Sequence, residues 1–318
     1  MPTRRQFLKT SAALSAGLAA AQAGFAAWQD PDKKRAIGIQ LYTLRNELAK
    51  DVEGTLRQVA EIGYRELEVF ALQTHYFGMQ AAAFASMVQG MGMRVVSGHV
   101  GTGAQSKAEI EATLKRYGLT APPPPPPGQL AASLSENRQA LIDAAAAIGQ
   151  AYLVCNFLFP SEYAGQDAWK RTADLLNDSG EACKRAGIRF CYHNHDFEFK
   201  AMDGEGRSFY DYLLSACDPG VVDFELDLYW AVKGGRQPVD LFAQYPGRFR
   251  LWHVKDMDAT PEGKFTEVGN GVIDFRAIFA KAKQSGMEHY FVEQDVCARP
   301  PLESIRISHT YVKSNLKA

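Results

Sequence analysis

The chain has 318 residues, enough for one large domain or two ordinary ones. Hydrophobic residues make up 46% of it and the formal net charge is −1, with no basic face evident, so a sizeable core is available and nucleic acid is a poor default partner. Five cysteines, Cys155, Cys183, Cys191, Cys217 and Cys297, are odd in number and lack close metal-type spacing, which argues for buried thiols over a disulfide framework or a thiolate zinc site.

The first element in chain order is not part of the fold. "TRRQFLKTSAALSAGLAAAQAGFAA" joins paired arginines, Arg4 and Arg5, to a short apolar run and then small residues. That pattern predicts a twin-arginine signal peptide over residues 1–27, cleaved near Ala23 or Ala26, and a periplasmic mature protein. The apolar run is interrupted by Ser11, Ser15 and Gly17 and is too short for a stable membrane span. Residues 28–318 are expected to form a single domain.

Within that domain short apolar runs recur, the early ones about 30 residues apart, the size of a strand-plus-helix unit. They are Ile37–Leu44, Glu66–Phe70, Arg94–Val100, Ala151–Phe157, Ile188–His195, Phe224–Trp230, Arg250–Asp256 and His289–Asp295. Helical stretches lie between them, several stopped by a glycine: Gly63, Gly149, Gly187 and Gly286. Strands alternating with helices predict an α/β fold with a parallel sheet, and eight of them predict closure into a (β/α)8 TIM barrel. An open doubly wound sheet is the competitor, weakened because no G-x-G-x-x-G follows the first strand. The proline run at 122–127, within a loop at 121–129, fits neither helix interior nor central strand and is expected to be a polyproline II spacer beside the barrel mouth.

Side-chain alternation then places the polar residues. His193 and His195 share a face, as do Glu225, Asp227 and Tyr229, then Leu251, His253 and Lys255, then Phe291, Glu293 and Asp295; earlier runs add Glu66 with Glu68 and Ser97 with His99. Most of these runs turn from apolar to ionisable toward their C-terminal ends, and in a barrel those ends converge on one mouth. Each residue alone is weak evidence; His75 and His309 are expected on loop or helix surfaces. The repetition across strands is the signal. Mixed His, Asp and Glu donors suit a divalent cation such as Mn, Mg, Co or Zn. The expected ligands are His193, Asp227, His253 and Glu293, one from each of four successive strands. His195, Glu68, His99, Lys255 and Gln40 are expected to face the substrate, with Glu293, His195 and Lys255 as the catalytic groups. Asn194 and Asp196, of opposite parity, are expected to brace neighbours. No G-x-S-x-G elbow supports a serine hydrolase.

The pieces "ELEVF", "YHNHDFEF", "ELDLYW", "LWHVKD", "EVGNGVIDF" and "VEQD" followed by "PPLESIRIS" resemble the sugar phosphate isomerase/epimerase family, the xylose isomerase-like barrels. The resemblance runs from about Ile37 to the C-terminus. It implies a metal quartet at the ends of strands five to eight, which falls by motif on the same His193, Asp227, His253 and Glu293. It also implies a glycine turn after strand seven at Gly269 and Gly271, read as backbone needing positive φ. The resemblance implies a metal-dependent sugar isomerase or epimerase. One departure matters: many epimerases of the family carry a glutamate where this chain has His193, and exchange a proton between two metal-bound glutamates. A histidine there is similar to dehydratase-like and keto-glycoside lyase-like members, so a keto-sugar or keto-glycoside lyase is the alternative and a non-catalytic sugar-binding barrel the second. The expected partner is a small unphosphorylated sugar, with no nucleic acid and with oligomerisation open.

Overall fold

A computed structural model describes residues 35–70, 75–103, 106–117 and 133–316. The signal segment and the proline run fall outside the described residues, as does the side chain of His75. The barrel unit spans Ala36–Ala318.

Its eight strands are β1 Gly38–Gln40, β2 Glu66–Val69, β3 Arg94–Val100, β4 Tyr152–Cys155, β5 Arg189–His193, β6 Val222–Asp227, β7 Phe249–Val254 and β8 His289–Val292. Each pairs in parallel with the next, and β1 pairs with β8, so the sheet closes in chain order. All eight expected runs overlap a barrel strand, and the (β/α)8 fold stands. Val96, Tyr152, Val154, Cys191, Leu251 and Phe291 pack together as the interior layer that fills the barrel. The larger core lies outside the strands, where Leu67, Phe190, Tyr192, Phe224, Trp252 and Val292 meet the surrounding helices. The sulfur atoms follow the same logic: all five cysteines are free and four are buried.

Two register shifts set the inward faces. Glu66 pairs with Arg94 and Leu67 with Val95, but Glu68 pairs with Ser97, leaving Val96 as the extra residue of a bulge. Phe224 pairs with Phe249 and Glu225 with Leu251, which makes Arg250 the extra residue of a second. Arg250 thereby joins the ion network that closes the N-terminal end: Arg189 lies 2.8 Å from both Asp223 and Glu288, and Arg250 3.1 Å from Glu288. With that end sealed by charge pairs, the open end is the one where the strand C-termini converge.

Two boundaries and one placement differ from the sequence reading. The sixth run is strand only to Asp227, whose Oδ1 accepts the Trp230 N–H at 2.9 Å and caps a helix over Leu228–Lys233. Tyr229 therefore leaves the shared face and donates its hydroxyl to the Gly263 carbonyl at 2.7 Å. The stretch before Gly286 is two short helices, Phe275–Phe279 and Ala282–Ser285. His309 is not a surface residue: it is buried on the helix Pro301–Asn315, with its ring 5.0 Å from that of Tyr64.

The glycine turn after β7 is half as expected. Gly269 has φ of +94°, where only glycine is unstrained. Gly271 has no positive φ; a Cβ there would lie 2.2 Å from the Met257 carbonyl oxygen, so close approach selects it. Asp256 organises this turn, its carboxylate accepting the N–H groups of Met257, Gly269, Gly271 and Ile273 at 2.8–3.2 Å.

Candidate metal centre

The centre grows from the last residues of β5 to β8. Register sets Asp227 beside His253 and His253 beside Phe291. Alternation then brings His193, Asp227 and His253 inward together, and Glu293, the residue after β8, reaches His253. His193 Nε2 lies 3.2 Å from His253 Nδ1 and 3.3 Å from Asp227 Oδ2. His253 Nδ1 lies 2.8 Å from Glu293 Oε2 and 3.7 Å from Asp227 Oδ2. Three of the expected ligands, His193, Asp227 and His253, thus converge with their donor atoms buried, while Glu293 touches this group through His253.

A second group lies against the other side of His253. His253 Nε2 is 2.5 Å from Glu68 Oε1 and 3.2 Å from Glu225 Oε2. His99 Nε2 contacts the same two oxygens at 3.0 and 2.9 Å. Gln40 Nε2 donates to Glu68 Oε1 at 2.8 Å. The expectation that Glu68, His99 and Gln40 face a substrate meets a different arrangement here. Glu68 and Gln40 are fully buried and His99 nearly so, and their polar atoms are turned onto His253, onto Glu225 and onto one another. With Glu225 and His253, Glu68 and His99 form a second buried cluster of metal-capable donors, and Gln40 braces Glu68. Glu225 sits on the face read from the sequence, yet sequence reasoning gave it no role.

Lys255 follows β7 and reaches the upper group, 3.0 Å from Asp227 Oδ2, 2.6 Å from Glu293 Oε2 and 2.8 Å from Asp295 Oδ1. His195 follows β5, its ring centroid 5.0 Å from that of His193, 4.9 Å from Phe157 and 5.4 Å from Trp230. Asn194 braces, as expected, accepting the Asp227 N–H at 3.0 Å. Asp196 forms an ion pair with Lys200 on the surface side.

Electrostatics are set by burial working against charge. Burial alone raises the Asp227 carboxyl, but Lys255 and His193 outweigh it and hold the group below the usual carboxylate range. Burial opposes ionisation of Glu293 too; Lys255 and His253 prevail and hold it at about 2. Desolvation, with His193 and Lys255 adding to it, keeps His195 neutral well below its ordinary value, and desolvation lowers His193 as well. His253 is the exception: burial disfavours its charge, but Glu225, Glu293 and Glu68 overcome that and raise it well above the ordinary range.

The cluster can hold a metal ion, on three observations. Donors about 2.1 Å from a common ion subtend roughly 3.0–3.4 Å between themselves, and the donor atoms of His193, Asp227 and His253 stand 3.2–3.7 Å apart. Glu68 Oε2, Glu225 Oε1 and His193 Nδ1 have no hydrogen-bond partner although buried. Finally, four buried carboxylates, Glu68, Glu225, Asp227 and Glu293, outnumber the cations they touch, even with His99, His253 and Lys255 all protonated. A divalent ion that takes the place of the His253 proton balances them.

A closed parallel barrel carrying a buried His/carboxylate cluster able to hold an ion at its C-terminal mouth is the class of protein defined so far. The family model described as "xylose isomerase-like TIM barrel" matches residues 56–314, and the chain belongs to that family. Residues 1–21 match the model of the twin-arginine translocation pathway signal sequence. No helix among the described residues is long and apolar enough to cross a membrane. The chain is 28% identical over 170 residues to an inosose dehydratase of Clostridium beijerinckii, covering 48% of this chain and 56% of that one. It thus spans about half the length of the curated relatives it matches. A sugar phosphate isomerase/epimerase of Parabacteroides distasonis superposes with a TM-score of 0.70 at 27% identity, covering 90% of this chain and 96% of that one. A protein named IolI, solved with a bound zinc atom, shares the fold at a TM-score of 0.59 and 14% identity, covering 87% of this chain and 96% of that one.

Proposed function

We propose that the chain is an exported, metal-dependent enzyme that takes the proton beside a carbonyl of an unphosphorylated keto-sugar or keto-glycoside and expels the neighbouring oxygen substituent. One observation carries the reading. A neutral imidazole, His195, and an ionised carboxylate, Glu293, flank a group of converging donors that an ammonium, Lys255, also reaches. His193, Asp227, His253 and Glu293 would hold the ion, which we take as Mn, Mg, Co or Zn. Bound there, a divalent cation polarises a substrate oxygen and acidifies the neighbouring C–H.

The remaining work falls to side chains. Glu68 and Glu225 hold His253 Nε2, which fixes its tautomer and aims the Nδ1 lone pair at the ion. His195 or Glu293 takes the proton; the C–H pair becomes the new double bond, and the proton leaves with the departing oxygen. Lys255 steadies the developing oxyanion. Lys255 is engaged by three carboxylates, which supports a substrate without phosphate.

Elimination is placed ahead of epimerisation because His193 stands where two-carboxylate epimerases need a second glutamate, and because the curated relatives carry the name inosose dehydratase. Isomerisation or epimerisation is the second reading, favoured by the Parabacteroides structure, whose likeness covers most of both chains. Incubating the metal-loaded protein with keto-sugars, keto-glycosides and sugars in heavy water separates them by NMR. Elimination releases water or an aglycone and leaves an unsaturated keto-sugar absorbing in the ultraviolet. A product of unchanged connectivity with deuterium at the exchanged carbon sinks that reading and supports the second. No turnover of any sugar leaves a sugar-binding barrel.

Export follows from the signal match at residues 1–21, and we place the mature protein, beginning between Gly24 and Trp28, in the periplasm of a two-membrane host. Lysine at both Arg4 and Arg5 should stop export. Undiminished export of that double variant would count against the twin-arginine route.

A further inference from the structure

The segment "YHNHDFE" contains an acid that the chemistry above does not use. Glu198 lies on the short helix Phe197–Lys200 just beyond β5, and its side chain is fully buried. It does not reach the ion site. Its Oε1 accepts the Tyr192 hydroxyl at 2.6 Å and its Oε2 accepts the His195 backbone N–H at 2.9 Å. Tyr192 has the opposite parity from His193 and belongs to the core outside the barrel, among Phe224 and Tyr210. One carboxyl therefore reaches from the loop after β5 back to the outer face of the same strand.

The consequence for His195 is geometric. Its backbone amide is drawn toward the outer layer, so its side chain is directed the other way, toward His193. Phe157 and Trp230 pack against the ring, with centroids 4.9 and 5.4 Å away, and restrict its rotation once the backbone is fixed. A buried acid is a costly way to fill this space, since an apolar residue of similar volume carries no desolvation penalty. Among the described residues no cation pairs with Glu198. Burial lifts its carboxyl to about 8, with the Tyr192 hydroxyl and the backbone amides of Glu198 and His195 pulling the other way. At neutral pH the group is then mostly the neutral acid, which needs no counter-ion and can still bridge a hydroxyl and an amide.

We propose that Glu198 is a positioning residue for His195, clamping the His195 amide to the Tyr192 hydroxyl so that the imidazole is presented to the ion site. This rests on the reading that His195 faces the substrate, but the clamp itself can be tested without any substrate.

The test uses zinc-loaded protein with 15N-labelled histidine. In Glu198→Ala the ring resonances of His195, assigned with His195→Ala, should move or broaden, while zinc content stays that of the wild type. Glu198→Gln should restore the wild-type spectrum, because its amide accepts from the His195 N–H and donates to the Tyr192 oxygen. Tyr192→Phe removes the other end of the clamp and should move the same resonances, which keeps the test open if Glu198→Ala folds poorly. On a substrate identified in heavy water, Glu198→Ala should lower kcat about 10²-fold, the scale of a small misplacement of a reacting group. It should add nothing further in a His195→Ala background. Unmoved His195 resonances in Glu198→Ala and Tyr192→Phe overturn the clamp, as does a full additional loss in the His195→Ala background. If the resonances move and kcat does not, the clamp stands and the catalytic part of His195 falls instead.

Discussion

Asp227→Asn should strip the protein of its metal while leaving the barrel folded. Two functions of the side chain are separable here. Oδ1 caps the helix Leu228–Lys233 through the Trp230 N–H, and Oδ2 faces His193, His253 and Lys255. Alanine loses both, with about 1 kcal/mol for the cap alone; asparagine keeps an oxygen for the cap and loses the charge. Removing an outer-shell partner of a metal ligand typically costs about 10–100-fold in affinity, and removing a charged ligand should cost at least as much. His253→Ala should do the same. Glu225→Gln, which touches only the Nε2 side of His253, should show the smaller loss. Retention should also depend on pH with a defined sign. His253 binds its proton well above the ordinary range, and the ion must displace that proton, so affinity rises with pH and binding releases protons. Metal analysis after dialysis of the two ligand variants decides the matter, and full occupancy in both would falsify the quartet.

Much of this site was legible in the sequence because a parallel strand has a period of two and because barrel strands end at a common mouth. His193, Asp227 and His253 stand on matching faces near matching ends, and the fold brings their donor atoms together, with Glu293 against His253. Depth along the barrel axis was not legible. Glu68 and His99 have the right parity, but the stagger of closed strands sets Glu68 against the far nitrogen of His253 and His99 against Glu68. Parity says which way a side chain points, not which layer it joins. The Asp227–Leu228 boundary was hidden for a related reason: an aspartate ending a strand and an aspartate capping a helix are the same letter, and "LYW" suits either element. Glu198 was invisible because its partner is a backbone amide three residues before it, set by the turn of the loop and not by spacing. Gly271 was read as needing positive φ, whereas only the folded turn reveals the Met257 carbonyl that excludes a Cβ.

The second large effect is expected at Lys255. Its ammonium lies within 3.0 Å of Asp227, Glu293 and Asp295. Burial disfavours that charge, but Asp227, Asp295 and Glu293 together hold the proton on it well above the ordinary lysine range. It is therefore an unchanging positive charge at any working pH and a poor proton donor, so its use is electrostatic. Lys255→Met preserves the length of the side chain and removes the charge. Losing one such stabilising donor costs about 10²–10³-fold in kcat, and we expect a loss of that size with metal content unchanged. The pH profile should move as well. Burial raises the Glu293 carboxyl, and Lys255 is the largest influence holding it down at about 2. Without the ammonium that carboxyl rises, so the acid limb of the kcat profile should shift to higher pH. Wild-type turnover in Lys255→Met would remove Lys255 from the chemistry. A large loss accompanied by loss of metal would instead make it a scaffold for Asp227 and Glu293, and the two outcomes are told apart by measuring metal and kcat on the same preparation.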